Sequence, residues 1–251
     1  MSFTLRSGYL SFLAATFMAV ALMATASMAS DSNAQNVNLF AAMQSGQVDV
    51  KVIPKNATQV NVLVTNKTQE PLSVTLPKSL AAVPVLAAAA GAGGARRNAG
   101  GIGSSSSSSN QQQSLGGGVG GVGGALSIPP EEVGQFKATT VCLEYGKPEP
   151  RPQSNYTVVP LDSYTSNLEV QELCEQVGSN TLDQRVAQLA AWHLANGLTW
   201  EQLSQIEYRF ANGGGAPQFS PQEIQAAMQL TAKVTADVQQ KHPETSDSLG
   251  N

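Results

Sequence analysis

The chain has 251 residues, of which 13% are charged, and a formal net charge of −4 at pH 7. So sparse and slightly acidic a balance leaves no footprint for nucleic acid or an anionic membrane surface, both of which call for clustered basic side chains. Two histidines and two widely separated cysteines offer no paired ligand spacing, so neither a metal nor another cofactor is expected.

The head of the chain reads as a targeting segment. Arg6 is the only charged side chain before Asp31, and an apolar run from Leu10 to Ala26 separates them. Ala24-Thr25-Ala26 and Ser27-Met28-Ala29 each offer a small–x–small cleavage site. A positive start, an apolar middle and a small-residue end define a secretory signal over residues 1–29. The expected location is therefore secreted, periplasmic or cell-envelope associated. Left uncleaved, the uncharged stretch from Ser7 to Ser30 has the length to cross roughly 30 Å of hydrocarbon at about 1.5 Å per residue. Membrane contact is expected only in that case.

Residues 46–86 follow the period of β-strands. Val48, Val50 and Val52 alternate with polar residues, as do Val60, Val62 and Val64, and then Leu72, Val74 and Leu76. Alternation of this kind puts one row of side chains on one face. Residues 127–165 add two more strands, Phe136 to Tyr145 and Tyr156 to Leu161, separated by a proline-rich break. Three strands alone make a sheet with little core. The economical arrangement is a single antiparallel, sandwich-like β domain drawing strands from both sides of the intervening tract.

That tract, residues 87–126, holds runs of glycine, six serines from Ser104 to Ser109 and three glutamines from Gln111 to Gln113. Its composition buries too little apolar surface to offset backbone ordering, so it is expected to be a disordered insertion.

The period changes to helical over residues 166–241. Four capping boxes mark starts: Ser166 with Glu169, Thr181 with Gln184, Thr199 with Gln202, and Ser220 with Glu223, the last followed by Pro221. Gly178, Asn196-Gly197, Asn212-Gly213 and Pro243 mark the stops. Apolar stripes such as Val170, Leu173, Cys174 and Val177 give each helix a core face. Residues 242–251 read as a disordered tail. The fold expected is α+β: a sandwich-like sheet with a four-helix C-terminal region.

No catalytic motif stands out. The sequence has no Gly-x-Ser-x-Gly elbow, no His-Glu-x-x-His helix and no phosphate-binding loop. His193, beside Trp192 on a core stripe, reads as a structural histidine. Glu131, Glu132, Glu144, Glu149 and Asp162 supply carboxylates for a hydrolase only if the fold pairs them across a cleft. Asn56, Asn66 and Asn155 each stand two residues before a threonine, matching the N-glycosylation sequon. Cys142 on a strand and Cys174 on a helix are candidates for a disulfide in an exported chain. Two free buried thiols are the other option.

Cys142 has a further reading. Cys142-Leu143 at the end of a β segment, a proline-rich break and a helical Gln188-Leu189-Ala190-Ala191-Trp192 resemble the thioester domains of bacterial surface adhesins. The resemblance implies a Cys142–Gln188 thioester, formed as a thiolate attacks the carboxamide and ammonia leaves, and an electrophile that captures surface amines. More broadly, Val141-Cys142-Leu143-Glu144-Tyr145-Gly146-Lys147-Pro148-Glu149-Pro150 with Ala190-Ala191-Trp192-His193-Leu194-Ala195-Asn196-Gly197-Leu198-Thr199-Trp200 is similar to uncharacterised secreted proteins of planctomycete-type bacteria. That resemblance implies a signal peptide, a glycine-rich insertion and this helical end, and no particular activity.

The expected role is a non-catalytic binding or structural module of the bacterial envelope or extracellular space. Its partner would be an envelope or extracellular protein or a glycan. A thioester-dependent covalent adhesin and a carboxylate-dependent hydrolase are the alternatives.

Overall fold

The computed structural model describes residues 34–85, 112–120, 124–211 and 213–243. The expected signal segment, residues 1–29, most of the Gly/Ser tract and the last eight residues lie outside that set. Along the described chain run β1 (Gln35–Asn38), α1 (Leu39–Gln44), β2 (Val48–Asn56), β3 (Gln59–Asn66), β4 (Leu72–Thr75) and β5 (Ser79–Pro84). They are followed by β6 (Leu115–Val119), β7 (Ala125–Ile128), β8 (Val133–Cys142), β9 (Tyr156–Val159) and α2 (Leu161–Tyr164). The C-terminal part comprises α3 (Leu168–Gly178), α4 (Gln184–Asn196), α5 (Trp200–Ser204), β10 (Glu207–Arg209), β11 (Gly215–Pro217) and α6 (Pro221–Lys241).

The class is α+β, but the sheet is a barrel rather than a sandwich. Six strands close in the order β2-β3-β8-β6-β5-β9, every neighbour antiparallel. The ring closes between first and last strands through Val52 and Tyr156. Closure removes the sheet edges that a sandwich would have to protect. The alternating valines point inward: Val52, Val60, Val62 and Val64 are buried with Phe136 and Ala138 in the barrel core. A small sheet ordered β1-β4-β7, with β1 parallel to β4, and helix α1 feed the same core through Leu72, Val74, Ile128 and Leu39.

The expectation that residues 87–126 carry no structure is corrected at its C-terminal end. Leu115–Val119, with the sequence Leu-Gly-Gly-Gly-Val, is a fully buried barrel strand between β5 and β8. Composition misleads here because the glycines serve close approach. Helix α3 lies directly on β6. A Cβ added to Gly118 would come within 2.6 Å of the Gly178 Cα, and one added to Gly178 within 2.5 Å of the Gly118 Cα. No side chain fits between the two backbones.

A second core forms where helices cover the barrel wall. Val141 and Leu143 point outward from the end of β8 and meet Val170, Leu173, Cys174 and Val177 of α3 together with Ala187 and Ala190 of α4. Four helices occupy residues 166–241, with the hairpin β10–β11 inserted between α5 and α6. The capping boxes at Thr199 and Ser220 form as the spacing predicts. The other two starts shift: Asn167 caps α3 and Asp183 caps α4, each accepting from two backbone N–H groups. Short Asx side chains outcompete the neighbouring hydroxyls for those orphan donors.

Candidate functional site

The two cysteines are not joined. Both are free and buried, which corrects the expected Cys142–Cys174 disulfide. Strand alternation is the reason. Cys142 turns into the barrel core while Cys174 sits in the helix-covered core outside the wall. Burial pushes the Cys142 thiol up to about 12, with Glu149 and Glu144 adding to it. Burial alone does the same to Cys174. A thiol that stays protonated is a poor nucleophile and a poor metal ligand.

These shifts set an alkaline limit. The native state keeps both thiol protons up to about pH 12, whereas an unfolded thiol loses its proton near pH 9.0. The stabilisation is therefore complete below pH 9 and is lost as the pH rises from 9 towards 12. Urea midpoints should fall between pH 8 and pH 10, with a shallower fall in Cys174→Ala, and iodoacetamide should label neither thiol in native protein at pH 8. Rapid labelling at pH 8 would contradict the burial assigned to these residues.

Cys142 and Gln188 do meet, but through the main chain of Cys142. The Cys142 N–H donates to Gln188 Oε1 at 2.8 Å, and Gln188 Nε2 donates to the Cys142 carbonyl at 2.9 Å. The amide acts as a short surrogate strand, tying α4 to β8. Gln184 Nε2, one turn earlier, donates to the Thr140 carbonyl at 2.6 Å, and Asn196 Nδ2 donates to the Leu143 carbonyl at 3.1 Å. Three amides along one helix thus satisfy backbone groups where the strand's ladder ends. Gln188→Leu orphans both polar groups of Cys142 and should cost about 2–4 kcal/mol, measured by equilibrium urea unfolding. A loss below about 1 kcal/mol would show that water replaces the amide there.

Three of the five carboxylates named for a hydrolase, Glu131, Glu144 and Asp162, are individually engaged. Glu144 accepts from the Ser114 N–H at 2.8 Å and pairs with Lys147. Burial pushes its carboxyl up, but the Lys147 and Ser114 hydrogen bonds outweigh this and hold it below the usual range. A carboxyl so held is no general acid near neutrality. Glu131 accepts from Gln69, and Asp162 from the Ser163 N–H. His193 donates from Nδ1 to the Leu198 carbonyl at 2.8 Å and stacks on Trp200 with centroids 4.1 Å apart. Among the described residues no group of three or more His, Cys, Asp or Glu is placed to hold a metal ion. No described helix is long and apolar enough to cross a membrane.

Two of the sequons turn out to be the same turn. Asn56 Oδ1 accepts from the N–H and hydroxyl of Thr58, and Asn66 Oδ1 from those of Thr68. Asn66 is 1% exposed, and its Nδ2 donates to the carbonyls of Glu70, Ile128 and Pro129. It pins the β3–β4 turn to the β7–β8 turn and has no room for a glycan.

A concave site lies elsewhere, on the barrel wall. A cleft of about 750 Å³ is lined by Gln59 of β3, Gln135, Lys137 and Thr139 of β8, and Asn180 just beyond α3. Leu76, Val119 and Phe136 supply its apolar lining. Register places these groups: Gln59 stands opposite Thr139, Asn61 opposite Lys137 and Leu63 opposite Gln135. Asn180 holds a left-handed backbone (φ 56°), and its Oδ1 accepts from the Thr139 hydroxyl, fixing the amide in the wall. Sequence reasoning missed this set because its members lie on three elements far apart in the chain. The only local signal was the polar phase of the β3 and β8 alternation.

Comparison with protein-family models, with curated proteins and with solved structures returns no match.

Proposed function

We propose that the chain is a non-catalytic binding module of the bacterial envelope or extracellular space that takes a glycan in the cleft between β3, β8 and Asn180. The cleft itself carries this reading. Its polar groups are two glutamines, an asparagine, a threonine and one lysine over an apolar floor. Amides and hydroxyls both donate and accept, which suits the hydroxyl groups of a sugar, and apolar floor area suits its C–H faces. The barrel wall fixes the backbone beneath these groups, and the Thr139–Asn180 hydrogen bond presets one pair of them, which lowers the ordering cost of binding there.

Export rests on residues 1–29, and the intact mass of protein recovered from a producing culture tests it. A mature chain starting near Asp31 is expected, and a full-length mass would place the protein on a membrane or inside the cell. Glycan-array binding tests the cleft. Gln135→Ala and Asn180→Ala should each weaken the best signal about tenfold, the worth of roughly one charge-free or charge-assisted contact pair. An array signal unchanged in both variants would remove the cleft from the account.

A further inference from the structure

The helices cover only part of the barrel. Helices α2, α3 and α4 pack on β5, β6 and the end of β8, while on β2, β3 and the first half of β8 the outward residues are exposed (Asp49, Lys51, Lys55, Gln135, Lys137) or half-buried (Asn61, Leu63). On that face Lys51 of β2 stands opposite Leu63 of β3, which stands opposite Gln135 of β8. The next row runs Ile53, Asn61, Lys137, and the Gln59–Thr139 row opens into the cleft. Lys55 follows at a register shift in β2. Lys51, Lys55 and Lys137 are exposed, and none of them makes an ion pair among the described residues. Asp49, opposite Thr65, is the one carboxylate of the three strands' outward rows and sits at the end away from Thr139. Among the described residues no carboxylate lines the cleft.

This distribution is local and opposite in sign to the chain as a whole, which carries −4. Unpaired lysines spaced along an uncovered, extended face match a repeating row of negative charges. The amides between them match hydroxyls. Among the described residues, no exposed large side chain on this face is an aromatic ring on which nucleobases would stack.

We infer that the ligand is an anionic polysaccharide that lies across the β2–β3–β8 face with one residue seated in the cleft against Lys137. The inference rests on the glycan reading proposed above and adds the charge of the ligand and the track it follows.

The full chain should retain polygalacturonate in affinity electrophoresis, with its fully methyl-esterified form, the same backbone without charge, held at least tenfold more weakly. Lys137→Gln should weaken polygalacturonate binding about tenfold, the worth of one charged hydrogen bond. Lys51→Gln should weaken it about threefold, as a more exposed contact. Both positions are exposed, so unchanged thermal midpoints check the fold. Equal retention of the two polymers, with the signal lost in Asn180→Ala, would overturn the anionic inference and leave the cleft as a neutral-glycan site. Polygalacturonate binding that survives Gln135→Ala and Asn180→Ala but fails in Lys51→Gln would retain the charged face and remove the cleft. Preference for poly-glutamate or double-stranded DNA over polygalacturonate, indifference to Lys137→Gln, or no retention of any polymer would each overturn the inference.

Discussion

A chain lacking residues 90–109 will fold to the same barrel, and a chain lacking residues 90–124 will not fold. Strands β5 and β6 are antiparallel neighbours, with Ala82 directly opposite Leu115. The ends to be joined are therefore adjacent, and a connection of a few residues spans them. Closing a shorter loop changes stability only with the logarithm of its length, so the first deletion should shift it by no more than about 1 kcal/mol. The second deletion removes β6, which separates β5 from β8 and seats α3. It leaves Val141 and Cys142 of β8 without ladder partners and opens one edge of β5, whose Ala81 and Ala82 keep only Val159 and Val158 of β9. Losing a central barrel strand forfeits a large part of the about 5–15 kcal/mol typical of a domain. Urea unfolding followed by near-ultraviolet circular dichroism separates the two. A cooperative transition of wild-type midpoint in the longer deletion would refute the barrel topology described here.

Filling the contact between β6 and α3 comes next in size. Gly118→Ala and Gly178→Ala each place a methyl group against backbone, at 2.6 and 2.5 Å. Neither backbone can rotate away as a flexible side chain would. Overpacking of this kind costs about 1–3 kcal/mol, and the upper end is expected because backbone must move on both sides. For a domain of this size that corresponds to a melting-point loss of about 5–10 °C. The two changes crowd the same gap, so the double variant should lose less than the sum of the singles. Unaltered melting in both single variants would mean that α3 stands farther from the wall.

What the sequence made legible followed from side-chain period. Val60, Val62 and Val64 announce a strand with one buried face, and the structure puts all three in the barrel core. Thr199 with Gln202 and Ser220 with Glu223 announce helix starts because the box is a local, reciprocal hydrogen bond. Leu115–Val119 was illegible because strand propensity is a statement about side chains packing on a pleat. A strand chosen to let a helix approach has none to show. Barrel closure was equally hidden, since it rests on the pairing of Val52 with Tyr156 and not on any local pattern. Cys142 and Gln188 were singled out by resemblance and do lie together, but which atoms meet depends on the face of β8 that Cys142 occupies. The cleft residues Gln59, Gln135 and Asn180 become neighbours only through register and the seat of α3.

Ring closure between β2 and β9 also sets a schedule. A polypeptide delivered N-terminus first, from a ribosome or through a membrane channel, holds β2 and β3 long before their outer partners exist. β3 waits for β8, and β2 waits for β9, the last barrel strand to emerge. Pairings so distant in sequence make folding slow and late. Until Val159 is free the chain has no closed ring to jam a narrow passage, and it stays threadable by topology alone. The same delay leaves the β2–β3 hairpin with two open edges in transit, which makes that hairpin the segment most in need of shielding before the barrel shuts.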